Sequence, residues 1–173
     1  MVAQSYDCGS DNVMIMRCTT PFPLAYLITF TCYGTWLHGD KRGSVDRDHN
    51  QFGEPFVEGD DEREQKEFKR LKHAPVYLTP EQRDHIAQSL REVCEFRGWK
   101  LLEVNVRTNH VHVVVAAQDE PKKIVRDLKS RCTMNLKGSG LFTQEKLWTR
   151  KGSGRYLWND DAVNAACKYV REQ

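Results

Sequence analysis

The chain has 173 residues, 39% of them hydrophobic and 29% charged, with a formal net charge of +2, which predicts one globular domain with room for a core and excludes a disordered chain. No apolar run approaches the roughly 18 residues that a membrane span needs, so a membrane protein is excluded. The first 20 residues lack the basic region and apolar run of a secretory signal, and we therefore predict a cytoplasmic protein.

The first part of the chain mixes weakly and strongly patterned segments. Residues 1–20 show no sustained periodicity and are predicted to be a loose leader before a single domain over residues 21–173. The aromatic and β-branched residues of 23–36 predict a first strand. Residues 37–75 are polar and acidic and predict a long insertion, since a connection of that length in a small domain is usually functional or disordered. A short helix is predicted within it, over about residues 60–71.

The next helix carries clear start and stop signals. Thr79 and Gln82 form a capping-box pattern around Pro80, and Gly98 supplies the end. Apolar residues between these signals recur at helical spacing and predict the buried side of the helix: Ile86, Leu90, Val93 and Cys94.

A hairpin of two strands is predicted after this helix. Residues 99–107 alternate between apolar and polar side chains, which is typical of a half-buried strand. Thr108 and Asn109 make a tight turn, and residues 110–117 return as the partner strand. The alternation predicts two opposite faces for the first strand: Leu102, Val104 and Val106 against Glu103, Asn105 and Arg107.

Two helices and a weak strand region complete the pattern. A basic helix is predicted from Pro121 to Gly138, and its apolar side is formed by Ile124, Val125, Leu128, Cys132 and Leu136. A last helix over residues 160–173 is capped by Asn159 or Asp160. Between them, residues 145–150 and 155–158 are predicted to form short strands around a basic glycine turn, KGSGR. The order of elements predicts an α+β fold, namely a ferredoxin-like antiparallel sheet with helices on one face and a long loop insertion.

Positive charge is concentrated late in the chain. Residues 121–155 hold ten Lys or Arg side chains and only two acids, Asp127 and Glu145. A basic region that faces a polyanion is one explanation, and a solvated helix face is the other. Charge alone does not separate the two.

The stretch NHVHVVV, residues 109–115, raises the question of what two histidines do on a strand. Its valines predict burial, and residues two apart on a strand point the same way, so His110 and His112 project together. Burying imidazoles costs free energy unless each finds a partner. The pair could bind one divalent cation, and ordinary satisfied histidines are the alternative.

The last helix carries a second candidate. Tyr169 and Gln173 are four residues apart and share a helical face. Small residues precede Tyr169 on that face and would let the helix lie close against the sheet: Ala162, Ala165 and Ala166. The alternative is that Tyr169 is an ordinary residue at the edge of an amphipathic stripe.

Together these segments resemble a known family. GWKLLEVNVRTNHVHVVV, the basic helix after it and the C-terminal D-x-x-x-x-A-x-K-Y-V-x-x-Q resemble the HUH single-tyrosine transposases, which are small insertion-sequence transposases and their REP-associated tyrosine relatives. FTCYGTWLHGDKRGSVDRD resembles a first-strand extension of some members, in which Y-G-T-W-L-x-G-D recurs. The resemblance covers roughly residues 25–173.

The resemblance implies a role for each candidate residue. His110 and His112 would hold a divalent metal, Mg²⁺ or Mn²⁺, with Gln173 as third ligand, and Tyr169 would be the nucleophile. These metals accept imidazole and keep open positions for a phosphate, which they polarise. This compensates for a tyrosine hydroxyl, a poor nucleophile at its ordinary pKa of about 10. Attack would leave a 5′-phosphotyrosine link and a free 3′-hydroxyl, so that the strand can be rejoined elsewhere.

The implied substrate is single-stranded DNA, with a hairpin beside the cut expected from the family. Trp148, Tyr156 and Trp158 could stack on unpaired bases, although at least two of the three are expected to be buried. A homodimer with an exchanged C-terminal helix is possible, because the glycine segment 151–154 is expected to be flexible. Basic side chains are predicted to contact the DNA phosphates: Lys122, Lys123, Arg126, Lys129, Arg131, Lys151 and Arg155.

Two other functions fit the same residues. A protein derived from a transposase could bind structured nucleic acid without cutting it. A hydrolytic metallo-phosphoesterase could use the histidine pair and a bound water, but the sequence offers it neither a second histidine pair nor clustered carboxylates.

Overall fold

The computed structural model describes residues 22–37, 39–40 and 59–173. The predicted leader and most of the predicted insertion lie outside this part of the chain. The described part contains four strands and four helices, in the order β1 (Ala25–Thr31), α1 (Asp61–Lys69), α2 (Pro80–Arg97), β2 (Lys100–Val106), β3 (His110–Ala116), α3 (Pro121–Gly138), β4 (Ser153–Leu157) and α4 (Asp160–Glu172).

The four strands form one antiparallel sheet in the order β2-β3-β1-β4. The backbone N–H of Arg107 donates to the carbonyl of His110 at 2.8 Å and closes the predicted hairpin between β2 and β3. The predicted α+β class with an antiparallel sheet is therefore confirmed. The two edge strands are β2 and β4, and the histidine strand β3 lies inside the sheet.

One face of the sheet is covered by α2 and α3 and forms the main core. Residues paired across antiparallel strands point to the same face, and β1 pairs with β3 so that alternate apolar residues of both strands meet here. The helices contribute the apolar stripes that the sequence predicted, all of them buried. The strand residues of this core are Tyr26, Ile28, Phe30, Val111, Val113 and Val115.

The local signals of α2 are confirmed. Thr79 and Gln82 form the capping box, Pro80 opens the helix, and Gly98 ends it with a φ of 67°. That left-handed conformation is strained for residues with a Cβ atom, which explains the glycine. The predicted short helix in the insertion is also present, as α1.

The position of α4 corrects one part of the predicted fold. This helix packs on the opposite face of the sheet from α2 and α3, where its Ala166 and Val170 meet Ala25, Val114 and Leu157. The expectation of helices on one face was therefore wrong for α4. The reason is that β1, β3 and β4 each carry apolar residues on both faces at one end of the sheet, and the second apolar patch needs its own cover.

Two strand predictions also need correction. A register shift between Leu101 and Glu103 places Leu102 with the α4 cluster, apart from Val104 and Val106, because a bulge adds one residue and reverses the alternation. The segment 145–150 forms only an isolated bridge between Cys32 and Trp148.

The glycine turn predicted at 151–154 enters β4 instead. A Cβ atom on Gly154 would lie 2.7 Å from Cβ of Pro121, so glycine allows β4 to pass close to the start of α3.

The helices of the described ranges include none that could span a lipid bilayer.

Candidate active site

The two histidines lie on the face of the sheet that α4 only partly covers. In the register of the sheet, His112 pairs with Thr29 on one side and Asn105 on the other, and His110 pairs with Thr31. Their rings are 4.7 Å apart between centroids and inclined by 78°. As predicted from the strand alternation, both imidazoles project from the same face.

Each histidine ring is oriented by a hydrogen bond at Nδ1. The distance from Nδ1 of His110 to Oδ1 of Asn109 is 2.7 Å, and Nδ1 of His112 lies 2.8 Å from the hydroxyl of Thr29. An amide oxygen only accepts, so Nδ1 of His110 donates and its lone pair is on Nε2. The Thr29 hydroxyl can accept from Nδ1 of His112 when this ring takes the same tautomer. These hydrogen bonds give each imidazole a polar partner, which offsets part of the free-energy cost of burying it.

His112 is also kept neutral by its surroundings. Its side chain is buried, with 6% of the residue surface exposed. Burial, followed by the positive charges of His110 and Arg107, lowers its pKa from 6.5 to about 4. A neutral imidazole keeps the lone pair with which it could bind a cation.

Tyr169 stands beside the histidine pair. Its ring centroid is 5.5 Å from that of His112 at an angle of 74°, and 46% of the residue surface is exposed. Ala166 is buried beneath the same helix and lets α4 lie close to the sheet. The three rings of His110, His112 and Tyr169 thus form a connected group within a single chain.

The last turn of α4 is tied to the edge strand β2. The amide nitrogen of Asn105 donates to the carbonyl of Val170 at 2.8 Å. Arg171 donates from Nε and Nη2 to one carboxylate oxygen of Glu103, at 3.0 and 2.7 Å. Since Val170 directly follows Tyr169, these contacts fix where the phenol sits over the sheet.

Gln173, the predicted third ligand, is not brought to the histidines by any contact. It is an exposed residue at the C-cap of α4. Within the described part of the chain its side chain makes no hydrogen bond to either imidazole. Its helical spacing from Tyr169 is as predicted, and its role as a ligand stays a prediction.

A family model, that of the IS200-like transposases, matches residues 70–173, which is more than half of the chain. The chain belongs to the IS200-like transposase family. The match includes both histidines, the basic helix and Tyr169. No curated protein matches the chain.

Two solved structures resemble this chain in fold. One is a REP-associated tyrosine transposase bound to a REP hairpin, with 11% sequence identity and a TM-score of 0.48; the alignment covers 84% of this chain and 63% of that one. The other is a transposase candidate from Deinococcus radiodurans R1, with 14% identity, a TM-score of 0.46 and coverage of 97% and 98%. The present chain thus spans less than two thirds of the first protein.

The donor set of this chain fits part of a divalent-metal site. In the residues that the structure describes, no group of three or more His, Cys, Asp or Glu side chains could hold an ion. The donors that the structure does bring together are the two imidazoles, and in His110 the lone pair is on Nε2. Mg²⁺ and Mn²⁺ accept such nitrogens but prefer oxygen, so substrate oxygens and water would complete the set.

The predicted DNA-contacting residues divide between the two faces of the sheet. Arg155 of β4 pairs with Leu27 and so lies on the histidine face. The basic side chains of α3 lie across the sheet from the histidines.

Several of these α3 side chains already have partners. Lys123 is paired with Asp119, Arg126 with Asp127, and Arg131 lies over the ring of Phe96. Lys122 and Lys151 are exposed.

Lys129 makes its contacts inside the fold. Its ammonium group donates to the carbonyls of Thr149 and Lys151 at 2.5 and 3.0 Å. Burial lowers its pKa to about 8. These contacts hold the segment before β4 and argue against the predicted role of Lys129 in following DNA phosphates.

Two of the three aromatic candidates are exposed, so the expectation that at least two would be buried was wrong. Tyr156 and Trp158 stack with an interplanar angle of 9° and a centroid distance of 5.9 Å. Trp148 is the exception, because it packs edge-on against Phe30 and donates to the carbonyl of Lys129. Both exposed rings belong to the edge of the sheet at β4.

Sequence reasoning missed Thr29 and Asn105 as parts of the site. Asn105 could have been found, because counting outward from the turn at Thr108 and Asn109 places it opposite His112. Thr29 could not, since the pairing of β1 with β3 joins residues 83 positions apart. No local pattern specifies that register.

Proposed function

We propose that this transposase is a metal-dependent nickase and strand transferase for single-stranded DNA, with Tyr169 as nucleophile. The observation that carries the proposal is the connected group of three rings, in which a half-exposed phenol lies 5.5 Å from the inner of two adjacent imidazoles. The open side of this group gives a DNA strand access to Tyr169. Because all three rings come from one chain, we propose that each subunit carries a complete site, whether or not it dimerises.

The proposed reaction is a transesterification. The Tyr169 Oη forms a bond to the scissile phosphorus, and the bond from phosphorus to the 3′ oxygen breaks. The phenolic proton leaves and, in the net reaction, a proton ends on the 3′ oxygen. The products are a 5′-phosphotyrosine link and a free 3′-hydroxyl, and reversal with a different 3′ end completes strand transfer.

The chain's own residues position the reacting groups. His110 and His112 would hold the divalent cation, which when bound polarises the scissile phosphate and neutralises its developing charge. Asn109 and Thr29 orient the two imidazoles at Nδ1, as outer partners of metal-binding histidines usually do. Asn105 holds the last turn of α4 and so places the phenol.

The proposed substrate is a single strand next to a DNA hairpin. A single tyrosine cuts one strand at a time, which favours single-stranded over duplex DNA. The stacked, exposed rings of Tyr156 and Trp158 offer a platform for unpaired bases. Arg155, on the other face of the same edge strand, could contact phosphates as the strand passes toward the histidines.

Covalent capture tests the proposal. Hairpin oligonucleotides with randomised single-stranded flanks and a label at the 3′ end are incubated with the protein and Mn²⁺, then separated under denaturing conditions. Because the protein would attach to the 5′ end of the downstream fragment, the 3′ label should move with the protein. We expect an adduct with the wild type and with Tyr156→Phe, and none with Tyr169→Phe or in EDTA.

Other products would identify a different function. An undiminished adduct with Tyr169→Phe would overturn the assignment of the nucleophile. Cleavage that leaves free 5′-phosphate and persists in Tyr169→Phe would indicate a hydrolytic phosphoesterase. DNA binding without any cleavage, unaffected by EDTA or by His110→Ala, would indicate a binding protein derived from a transposase.

A further inference from the structure

A cationic side chain outside the predicted site lies on the histidine face. Arg107 directly follows β2, and its backbone N–H bonds to the carbonyl of His110, so the two residues are opposite each other. Asn105, two positions earlier, pairs with His112. Since residues two apart on a strand share a face, the side chain of Arg107 emerges beside the histidine pair.

The guanidinium of Arg107 is not engaged by the part of the fold that the structure describes. The residue is exposed, and among the described residues its side chain has neither a hydrogen bond nor an ion pair. A carboxylate on the same strand, that of Glu103, is already bonded to Arg171.

Among the residues that the structure describes, this cation has no compensating partner. An anion arriving at the site would supply one. A guanidinium carries N–H donors in a planar fork that matches two oxygens of a phosphate group. The phosphodiester of the DNA strand is the anion that the proposed function brings to this face.

We propose that Arg107 binds a non-bridging oxygen of the scissile phosphodiester beside the histidine pair. This inference rests on the proposed function. A donor aimed at oxygen atoms that gain charge during the attack stabilises the transition state more than the bound ground state. Arg107 is thus a phosphate-binding residue whose effect should be larger on the cleavage rate than on DNA affinity.

The first test needs no catalysis. Inorganic phosphate is titrated into the metal-free protein while the ring proton signals of His110 and His112 are followed by NMR. We expect saturable shifts in the wild type and at least roughly tenfold weaker binding in Arg107→Gln, with Arg107→Lys between them because it keeps the charge and loses the fork. Arg91→Gln is the matched control, since Arg91 is exposed on α2 across the sheet.

The second test measures adduct formation in a single turnover at saturating hairpin DNA. Arg107→Gln should slow it by roughly 10- to 100-fold, with DNA affinity changed by no more than about threefold, and Arg91→Gln should match the wild type. The thermal unfolding midpoint should not change in any of these variants, because the side chain of Arg107 has no hydrogen bond or ion pair with the residues at 22–37, 39–40 or 59–173.

The two tests separate this inference from the proposed function. If the wild type forms no adduct, the proposed function fails, and the phosphate titration still decides whether Arg107 binds phosphate. Phosphate shifts that are absent in the wild type, or unchanged in Arg107→Gln, would overturn the inference. An unchanged cleavage rate in Arg107→Gln would overturn it as well, even if free phosphate binds.

Discussion

The two faces of the sheet are built for different tasks. The face under α2 and α3 is apolar and is closed over the central strands, with Ile28, Val111 and Val113 fully buried. The face under α4 is apolar only at one end, around Val114 and Leu157. At its other end it carries Thr, Asn and His side chains beside an exposed phenol.

The difference shows how one sheet serves both stability and chemistry. Burial of apolar area is non-directional and needs only a tight fit, so the closed face supplies most of the stabilisation. The open end depends on hydrogen bonds of defined direction, such as that from Asn105 to the end of α4. A substitution on the closed face should mainly lower the free energy of unfolding. A substitution at the open end should mainly weaken binding at the histidine site.

Neighbouring residues of β1 test this contrast most strongly. Ile28 points into the closed core, and Thr29 points to His112. Ile28→Ala should lower the free energy of unfolding by about 2–5 kcal/mol through lost burial and a residual cavity. Thr29→Val should cost only about 1 kcal/mol but weaken Mn²⁺ binding by roughly 10- to 100-fold, because it releases the ring of His112.

Urea unfolding and Mn²⁺ titration calorimetry measure the two effects. Thr29→Ser, which keeps the hydroxyl, is the control and should bind Mn²⁺ nearly as well as the wild type. The contrast between the faces would be wrong if Thr29→Val proved as destabilising as Ile28→Ala, or if it left Mn²⁺ affinity unchanged.

The open face should also carry a pH dependence in mildly acidic solution, which comes from His112. Since burial lowers the pKa of His112 from 6.5 to about 4, the unfolded chain takes up a proton at higher pH than the folded chain does. The contribution of His112 to the free energy of unfolding is therefore at its maximum above pH 6.5. It is lost as the pH falls toward 4, because the unfolded chain is protonated first. The shift corresponds to about 3 kcal/mol.

Chemical denaturation between pH 4 and 7 would show this loss, and His112→Asn provides the reference. Asparagine retains a polar group near Thr29 but does not titrate in this range. The difference in unfolding free energy between the two proteins should grow steeply between pH 4 and 6.5 and flatten above. Parallel curves across the whole range would contradict a buried neutral histidine.

Much of the fold could be predicted from the sequence because it depends on local sequence patterns. The capping box of α2, the hairpin turn and the apolar stripe of α3 each depend on residues within one or two turns of each other. The position of His110 and His112 on the same face of one strand followed from strand alternation in the same way. Tyr169 was predicted from helical spacing and resemblance, and the structure places it next to His112.

The rest depended on contacts that no local pattern encodes. The choice of face for α4 follows from how four strands from distant parts of the chain meet. The bulge at Leu102 reversed an alternation that looks regular in sequence. Lys129 reads as one more surface cation, and only the backbone carbonyls of Thr149 and Lys151 explain its partial burial.

The smallest effect should come from the hydrogen bond that joins β2 to the last turn of α4. Asn105→Ala removes the hydrogen bond to the carbonyl of Val170 and should cost about 0.5–1.5 kcal/mol. The consequence should be local, because the last turn of α4 loses a link to β2 while the core is untouched. Amide hydrogen exchange should therefore quicken in that turn and not in α2 or α3.

Glu103→Gln is the comparison for this prediction, because it weakens the other link between β2 and α4, the exposed ion pair with Arg171. Exposed pairs contribute only about 0–1 kcal/mol, so exchange should change less than in Asn105→Ala. If Asn105→Ala left exchange at the end of α4 unchanged, the phenol of Tyr169 would be positioned by the apolar packing of Ala166 and Val170 alone. The open face would then depend on burial in the same way as the closed one.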